Sequence, residues 1–250
     1  MTPAFDDLPV ALPAGCAGAR VAGDPSGWAE AFDWPTELTD AAATRRADFL
    51  MGRLAAVEAL RRLGAEGSVG RSPEGAPVWP EGIAGSLTHH SGVAAAVVGR
   101  QAGGLGPSDA GPGRELAGLG IDICPRLEGD RLRAVVRQCL TEAEREAWTS
   151  EEAATLAFAA KESIYKAAYP RAQRFIGFDE AEIVDVGDGG RSTVEKRHAV
   201  DAFDRRTHAG TWTAVLADEL ARLLGVDTVT GSYAWDGELV YAVLALESSR

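Results

Sequence analysis

The feature that most constrains the fold is residues 153–169, an unbroken run with many helix formers and with no glycine and no proline. Such a run predicts one long helix, and Pro170 directly after it predicts where that helix ends. On a helix, Glu162 and Lys166 are four residues apart and share a face, with Tyr165 beside them. The chain must therefore fold around a helix that carries a carboxylate and an ammonium group on one side.

A second lysine, Lys161, lies about 100° around this helix from Glu162. One helix would then place two ammonium groups, those of Lys161 and Lys166, around one carboxylate. A carboxylate can hold a hard cation, and flanking lysines suit a polyphosphate that the cation brings with it. Taken alone, this spacing is more often an ordinary ion pair on a solvated helix face. The interpretation therefore depends on other segments.

A short apolar segment, residues 119–123, predicts a buried strand and contains one carboxylate, that of Asp122. An aspartate among apolar neighbours is costly unless it is paired with a cation or bound to a metal ion. Asp122 is therefore a second candidate for a site that involves charge.

A second long helix is predicted from Ala41 to Leu63, with Asp40 as its N-cap and Gly64 just beyond its C-terminus. The predicted apolar stripe consists of Phe49, Leu50, Leu54, Val57, Leu60 and Leu63. This helix also carries several arginines, which gives it a basic side.

Candidates for phosphate binding lie in this half of the chain. Arg46 and Arg53 are seven residues apart and share a helix face, with Arg45 displaced from it. Arginines on one face form either a solvated rim or a phosphate clamp. The polar segment 86–90, which precedes an apolar strand, contains His89, either a phosphate contact or a structural histidine.

Composition and charge argue against several classes of protein. The formal net charge of −12 argues against nucleic acid as the main partner. No apolar run is long enough to span a bilayer, and the acidic residues 1–7 are not typical of a secretory signal peptide. The cysteines, at positions 16, 124 and 139, lack the spacing of a disulfide framework or a zinc site. We therefore expect a reducing, cytoplasmic compartment and no membrane partner.

Glycine-rich residues 101–118 predict a mobile connection between two halves. In each half a long helix precedes a Gly-Ser pair, at residues 85–86 and 231–232, and then an apolar strand. This internal echo predicts an α+β protein of two similar lobes, residues 1–113 and 114–250, with a site at their interface.

Three segments in this order carry a family resemblance. They are Gly85-Ser86-Leu87-Thr88-His89, Gly120-Ile121-Asp122-Ile123 and Phe158-Ala159-Ala160-Lys161-Glu162-Ser163-Ile164-Tyr165-Lys166. From about Arg45 to Phe178 the chain resembles the 4′-phosphopantetheinyl transferases of the Sfp type, in the enterobactin-synthase component D branch. The resemblance implies a pseudo-twofold pair of α+β lobes. It also implies transfer of 4′-phosphopantetheine from coenzyme A to a serine of an apo acyl or peptidyl carrier protein, with release of adenosine 3′,5′-bisphosphate.

The resemblance assigns roles to individual residues. Asp122 and Glu162 would hold Mg²⁺ on the pyrophosphate, and Lys161 and Lys166 would neutralise its oxygens. Glu162, or a water on the metal ion, would take the proton from the carrier serine. Residues that would bind the nucleotide end of coenzyme A are Arg45, Arg46, Arg53, Arg71, Ser86, Leu87 and His89.

Cys124 departs from the family pattern, which usually has an acidic residue two positions after the metal-binding aspartate. A thiol is a poor ligand for Mg²⁺. We expect water to replace the missing third ligand at Cys124; Glu128 or weaker metal binding are the alternatives. An acidic carrier would be attracted locally by the arginines that follow this strand, Arg131, Arg133 and Arg137.

Two other functions remain open at this point. One is a Mg²⁺-dependent hydrolase of coenzyme A or a related nucleotide, and the other is a non-catalytic protein that binds coenzyme A. We expect the protein to act as a monomer.

Overall fold

The computed structural model describes residues 4–29, 34–35, 38, 40–101, 114–187 and 209–249. Within them the chain forms two antiparallel sheets, and one long helix packs on each sheet. The predicted α+β class with two lobes is confirmed. Of the helices in these ranges, none is both long and apolar enough to cross a membrane.

The N-terminal lobe contains a four-stranded sheet, in the order β1-β2-β6-β5, and helix α2 packs against it. Its elements are β1 (Phe5–Asp6), β2 (Cys16–Ala22), α1 (Ser26–Ala29), α2 (Ala43–Arg62), β3 (Gly70–Arg71), β4 (Pro77–Val78), β5 (Ile83–His90) and β6 (Val93–Arg100). Strands β3 and β4 form a separate two-stranded ribbon.

The C-terminal lobe contains a five-stranded sheet, in the order β7-β11-β10-β9-β8, and helix α5 packs against it. Its elements are β7 (Arg114–Pro125), α3 (Gly129–Cys139), α4 (Glu142–Ala147), α5 (Glu151–Ala172), β8 (Ala181–Gly187), β9 (Ala209–Leu216), α6 (Asp218–Leu224), β10 (Thr228–Asp236) and β11 (Leu239–Ser249). A turn of 3₁₀ helix, Phe178–Glu180, precedes β8.

Helix α2 differs from its prediction in two respects. It begins at Ala43, after Ala42, which makes no side-chain cap, so the assignment of Asp40 as the N-cap was wrong. The predicted stripe was also wrong at Val57, which is 49% exposed, whereas its neighbour Glu58 is buried. Glu58 is buried because it is ion-paired with two arginines of the same helix. The ion pairs of Glu58, and not apolar character, therefore explain why Glu58 is buried and its neighbour Val57 is exposed.

Helix α5 extends further than predicted. Ser150 caps its N-terminus by accepting from the backbone N–H of Ala153, and the helix continues through Pro170 to Ala172. The prediction that Pro170 ends the helix was wrong. Proline removes only one backbone donor in this last turn, and the preceding Ala167 and Ala168 are fully buried, which holds the turn in place.

The predicted connection at residues 101–118 is only partly described, because residues 102–113 lie outside the described ranges. Residues 114–118 already belong to β7, so that part of the prediction was wrong. The boundary between lobes at residue 113 stays a prediction.

The lobes meet where β5 and β7, the edge strands of the two sheets, lie side by side. Side-chain hydroxyls bridge the strands: Ser86 Oγ accepts from the backbone N–H of Ile121 at 3.1 Å, and Thr88 Oγ1 accepts from that of Ile123 at 3.3 Å. A shared apolar cluster, which includes residues of β6 and β7, lies behind this junction. The predicted interface therefore brings polar groups of both lobes together.

Candidate active site

Two glycines of β7 bring this strand against α5. A Cβ atom at Gly118 would overlap the carbonyl oxygen of Ala167, and one at Gly120 would overlap that of Ser163. The backbones of the strand and the helix are therefore in direct contact. Because alternate residues of a strand share one face, Asp122 lies on the same side and reaches the helix that carries Glu162.

Asp122 is buried and has partners from both lobes. Its Oδ1 accepts from Lys166 Nζ at 2.7 Å and from the hydroxyl of Thr88 at 3.1 Å. Lys166 also donates to the carbonyl oxygen of Ile121 at 3.0 Å. The predicted pairing of this carboxylate is found, and Lys166 supplies the countercharge.

Glu162 belongs to the same cluster. Burial raises the pKa of its carboxyl above the ordinary value, the negative charge of Asp122 raises it further, and Lys166 opposes both effects. Two carboxylates that repel each other beside a single lysine leave net negative charge, which favours a bound cation. Both carboxylates belong to the C-terminal lobe, and the N-terminal lobe contributes the hydroxyl of Thr88.

The donor set fits Mg²⁺, which needs one or two carboxylates and takes its other ligands from water and substrate phosphates. In the ranges that the structure describes, no group of three or more His, Cys, Asp and Glu side chains could hold a metal ion by itself. Substrate and water oxygens would therefore complete the coordination.

Cys124 lies in the field of both carboxylates but is not a suitable ligand. Its thiol donates to the carbonyl oxygen of Pro125 at 3.3 Å. Burial, together with the charges of Asp122 and Glu162, raises the pKa of Cys124 to about 12. A protonated thiol is a poor ligand for Mg²⁺, and the place of Cys124 among the metal ligands stays a prediction. Glu128, the suggested alternative, is exposed just before α3.

Lys161 makes its polar contacts away from Asp122 and Glu162, and its assignment to catalysis and to phosphate binding stays a prediction. Its Nζ lies 2.6 Å from Glu144 Oε2, and the two side chains are 1% and 0% exposed. Nζ also donates to the carbonyl oxygens of Cys139 at 3.0 Å and Phe178 at 2.7 Å. All three ammonium hydrogens have partners inside the lobe, so of these two lysines of α5 it is Lys166 that donates to a carboxylate of the candidate site.

An apolar pocket of about 230 Å³ opens beside Glu162. Its aromatic lining includes Tyr165 and Phe175, whose ring centroids are 6.1 Å apart, and Phe178 from the 3₁₀ turn. Phe175 is largely exposed, which places an apolar ring at the edge of a charged site.

The arginine at position 53 has the environment of an anion-binding group. Its guanidinium stacks on the ring of Phe49 at 4.3 Å and donates to the carbonyl oxygen of Gly70 at 2.8 Å. Its Nε is buried with no partner in the described structure. Burial, and then the positive charge of Arg71, lowers the pKa of Arg53 to about 10. Two cations this close favour a negatively charged ligand.

Of the other predicted nucleotide-binding residues, His89 and Arg45 are exposed, whereas Arg46 lies in a separate pocket. His89 Nδ1 lies 3.5 Å from Asp48 Oδ2, with the ring largely exposed, and Arg45 is exposed near the start of α2. Arg46 instead stacks on Trp34 at 4.4 Å, in a separate pocket that also contains Asp24, so the structure does not bring it to Arg53.

The side chains of the two remaining residues in this set are used within the fold. Leu87 packs against the apolar cluster of the N-terminal lobe. Ser86 is buried and its hydroxyl is bonded to β7. Their assignment as residues that line the nucleotide stays a prediction.

Sequence reasoning missed two residues of β5 that face the carboxylates. Thr88 donates to Asp122, and the charges of Arg131 and Asp122 both act on the ring of His90. Burial is the largest effect and lowers the pKa of His90, Arg131 lowers it further, and Asp122 opposes them. Strand alternation was the available signal, because residues 86, 88 and 90 share one face.

Paired carboxylates and a lysine at the junction of two α+β lobes, with clustered arginines in one lobe, define a class of protein that handles phosphorylated ligands. Comparisons with known proteins identify the family. A model of the 4′-phosphopantetheinyl transferase N-terminal domain matches residues 35–99, and a model of the 4′-phosphopantetheinyl transferase superfamily matches residues 118–218. This chain belongs to the 4′-phosphopantetheinyl transferase superfamily.

Named relatives agree with this assignment. The chain is 34% identical over 195 residues to 4′-phosphopantetheinyl transferase Svp of Streptomyces mobaraensis, which covers 71% of this chain and 73% of the relative. It is 33% identical over 183 residues to 4′-phosphopantetheinyl transferase PptT of Mycobacterium tuberculosis, covering 70% and 74%. It is 32% identical over 171 residues to enterobactin synthase component D of Salmonella typhi, covering 66% of this chain and 64% of the relative. The chain spans 64–74% of the length of these relatives. The predicted family is confirmed, which favours a transferase over a hydrolase or a non-catalytic binding protein.

Proposed function

We propose that this chain transfers 4′-phosphopantetheine from coenzyme A to a serine of an apo acyl or peptidyl carrier protein, in a Mg²⁺-dependent reaction. The observation that carries the proposal is the meeting of Asp122, Glu162 and Lys166 at the junction of the lobes. The sequence segments that form this cluster lie within residues 118–218, the part matched by the superfamily model.

Asp122 and Glu162 would hold the ion, whose chemistry when bound is to neutralise charge on the pyrophosphate of coenzyme A. Lys166 would place its ammonium group on the same phosphate oxygens, as charge develops there. The serine oxygen would form a bond to the phosphorus that carries pantetheine. The bond from that phosphorus to the bridging oxygen breaks, and adenosine 3′,5′-bisphosphate leaves with the electron pair.

Glu162 is the group that would accept the serine proton. The reaction requires positioning and charge neutralisation and needs no covalent intermediate on the protein.

Arg53 and Arg71 would bind a phosphate at the nucleotide end, because an anion offsets both the burial and the repulsion by Arg71 that lower the pKa of Arg53. The unpartnered Nε of Arg53 offers a donor for it. His89 and Arg45 would add contacts from the edge of the same lobe. The pocket of about 230 Å³ beside Glu162 would take the pantetheine arm, whose length is mostly apolar and amide groups.

A groove along α3 is the surface that we assign to the carrier. It has a volume of about 570 Å³ and combines apolar Leu132 and Val136 with the cations of Arg133, Arg137 and Arg145. Arg131 is exposed on the same helix. A basic groove with an apolar floor suits an acidic helix and gives this negatively charged chain a local attraction for it. We propose no nucleic acid or membrane partner, and a monomer that works in the cytoplasm.

The test is to incubate the protein with coenzyme A and Mg²⁺ and with acyl and peptidyl apo carriers, and to weigh the carriers by intact-mass spectrometry. We expect a carrier to gain one phosphopantetheine for each adenosine 3′,5′-bisphosphate released. Nucleotide release without a gain in carrier mass would indicate a hydrolase. Binding of coenzyme A with neither product at any Mg²⁺ concentration would indicate a non-catalytic protein.

A further inference from the structure

The hydroxyl of Thr88 connects the N-terminal lobe to the carboxylate of Asp122. Thr88 is 5% exposed and lies on β5. Its Oγ1 accepts from the backbone N–H of Ile123 at 3.3 Å and donates to Asp122 Oδ1 at 3.1 Å. Because the first bond uses a lone pair of the hydroxyl, its single hydrogen is available for the carboxylate.

The two oxygens of Asp122 are therefore not equivalent. Oδ1 accepts from both Lys166 Nζ and the Thr88 hydroxyl. The terminal torsion of an aspartate is broad and roughly twofold, so the side chain by itself does not fix which oxygen points where. Two donors on one oxygen fix that torsion and leave Oδ2 for another ligand.

We propose that Thr88 is a positioning residue, which orients the Asp122 carboxylate so that Oδ2 faces the divalent ion and so makes metal affinity depend on contact between the lobes. This inference rests on the proposed function, because it concerns the same metal site. Thr88 itself would not touch the ion or coenzyme A through its hydroxyl. Its effect is transmitted through Asp122.

Ser86 provides a control that distinguishes the positioning role of Thr88 from a purely structural role. Ser86 Oγ accepts from the backbone N–H of Ile121 at 3.1 Å, the same kind of contact that Thr88 makes one step further along the strand. Ser86 and Thr88 are both buried at the junction. Of these two hydroxyls, only that of Thr88 has a hydrogen bond to a candidate metal ligand. Loss of either hydroxyl should therefore disturb the junction of the lobes, but only loss of the Thr88 hydroxyl should disturb the metal site.

The experiment measures Mn²⁺ binding by electron paramagnetic resonance, with coenzyme A at a concentration that saturates each variant and with no carrier, so that no turnover takes place. We expect Thr88→Val, which keeps the shape but lacks the hydroxyl, to weaken Mn²⁺ binding about tenfold or more, as loss of a residue that orients a metal ligand commonly does. Thr88→Ser should restore the affinity to within about threefold of the original. Ser86→Ala should lower the melting temperature as Thr88→Val does, with Mn²⁺ affinity unchanged.

Two results would overturn the inference: Mn²⁺ binding by Thr88→Val equal to that of the unmodified protein, or equal weakening by Ser86→Ala. If Thr88→Val does not fold, Thr88→Cys, which has only a weak donor, carries the same expectation. Asp122→Asn distinguishes the two levels of the argument. If the unmodified protein binds no more Mn²⁺ than Asp122→Asn, the metal site of the proposed function fails. If it binds more, and Thr88→Val binds equally well, only the role of Thr88 fails.

Discussion

The two lysines of α5 should differ sharply in what their removal does. Lys161 forms a buried ion pair with Glu144 and also donates to two backbone carbonyl oxygens. Lys161→Met leaves the Glu144 carboxylate buried without a countercharge. Removing one partner of a buried pair costs about 3–5 kcal/mol, so we expect a loss of that size from the free energy of unfolding.

The double variant Lys161→Met with Glu144→Gln is the matched control. Glu144 accepts from the backbone N–H groups of Thr141 and Ile183, both at 2.7 Å. The two donors bond to different oxygens of Glu144, Oε2 and Oε1, so Gln removes the charge but keeps an oxygen for only one of them. Because the unpaired charge causes most of the loss, we expect the double variant to recover about 1–2 kcal/mol of it.

Lys166→Met should behave in the opposite way. Lys166 is partly exposed and its ammonium group faces the candidate site, 2.7 Å from Asp122. Asp122 is buried but keeps the hydroxyl of Thr88 as a donor, so we expect a cost in stability of about 1–3 kcal/mol, with a fall of about 100-fold or more in kcat for carrier modification. Urea unfolding followed by tryptophan fluorescence gives the first quantity. A carrier-mass assay at saturating coenzyme A gives the second.

One outcome would refute this reasoning. If Lys161→Met unfolds at the urea concentration of the unmodified protein but has lost its activity, Lys161 acts on the substrate and its burial against Glu144 does not describe the working enzyme. The role that the family resemblance implies for Lys161 would then be correct, and a purely structural role for its ion pair with Glu144 would be excluded.

Three further predictions concern the acids, the cysteine and the carrier surface. Glu162→Gln should abolish transfer but raise the free energy of unfolding by about 0.5–2 kcal/mol near neutral pH, because burial and the charge of Asp122 raise the pKa of the folded carboxyl. A raised pKa in the folded state means that ionised Glu162 destabilises the fold, so the gain from Gln should appear as pH rises through the pKa of the folded state. It should vanish in acid, below the pKa of the unfolded state. A gain in thermal unfolding that does not depend on pH would contradict this prediction. Cys124→Glu should lower the Mg²⁺ concentration for half-maximal activity, because an oxygen ligand replaces a protonated thiol, and an unchanged titration would show that this position does not face the ion. Arg133→Glu with Arg137→Glu should raise KM for the carrier about tenfold or more and leave KM for coenzyme A unchanged, with Arg222→Glu on α6 as the control; an equal rise for both substrates would rule out this surface.

Local pattern and family resemblance together predicted the centre of the site. The helix around Glu162 is predicted by a run without glycine or proline, and the strand around Asp122 by a short apolar segment, so both are predicted from local sequence. Capping is equally local at the start of α4, where Thr141 and Glu144 form a capping box. The same kind of signal failed at Asp40, because a capping residue near a helix start does not fix where the helix begins, and α2 begins three residues later, at Ala43.

The orientation of Lys161 could not be predicted from its helix. Neighbouring residues on a helix point about 100° apart, so a lysine next to Glu162 faces either the site or the interior. Its partner Glu144 comes from a different helix, and its two carbonyl acceptors come from the end of α3 and from the 3₁₀ turn. Only the packing of these elements decides the direction. Thr88, in contrast, was within reach of a simpler argument, since it alternates with Ser86 along β5.

The contact between the backbones of β7 and α5 sets the spacing of the two acids without any intervening side chain. Substitutions that change side-chain volume elsewhere in the core can therefore accumulate without changing the distance between Asp122 and Glu162. A single methyl group at position 120 would act as a wedge, pushing the strand off the helix and separating the acids in one movement. The tolerance of this enzyme to sequence change should thus be broad in its core and nearly absent at two positions that have no side chain to lose.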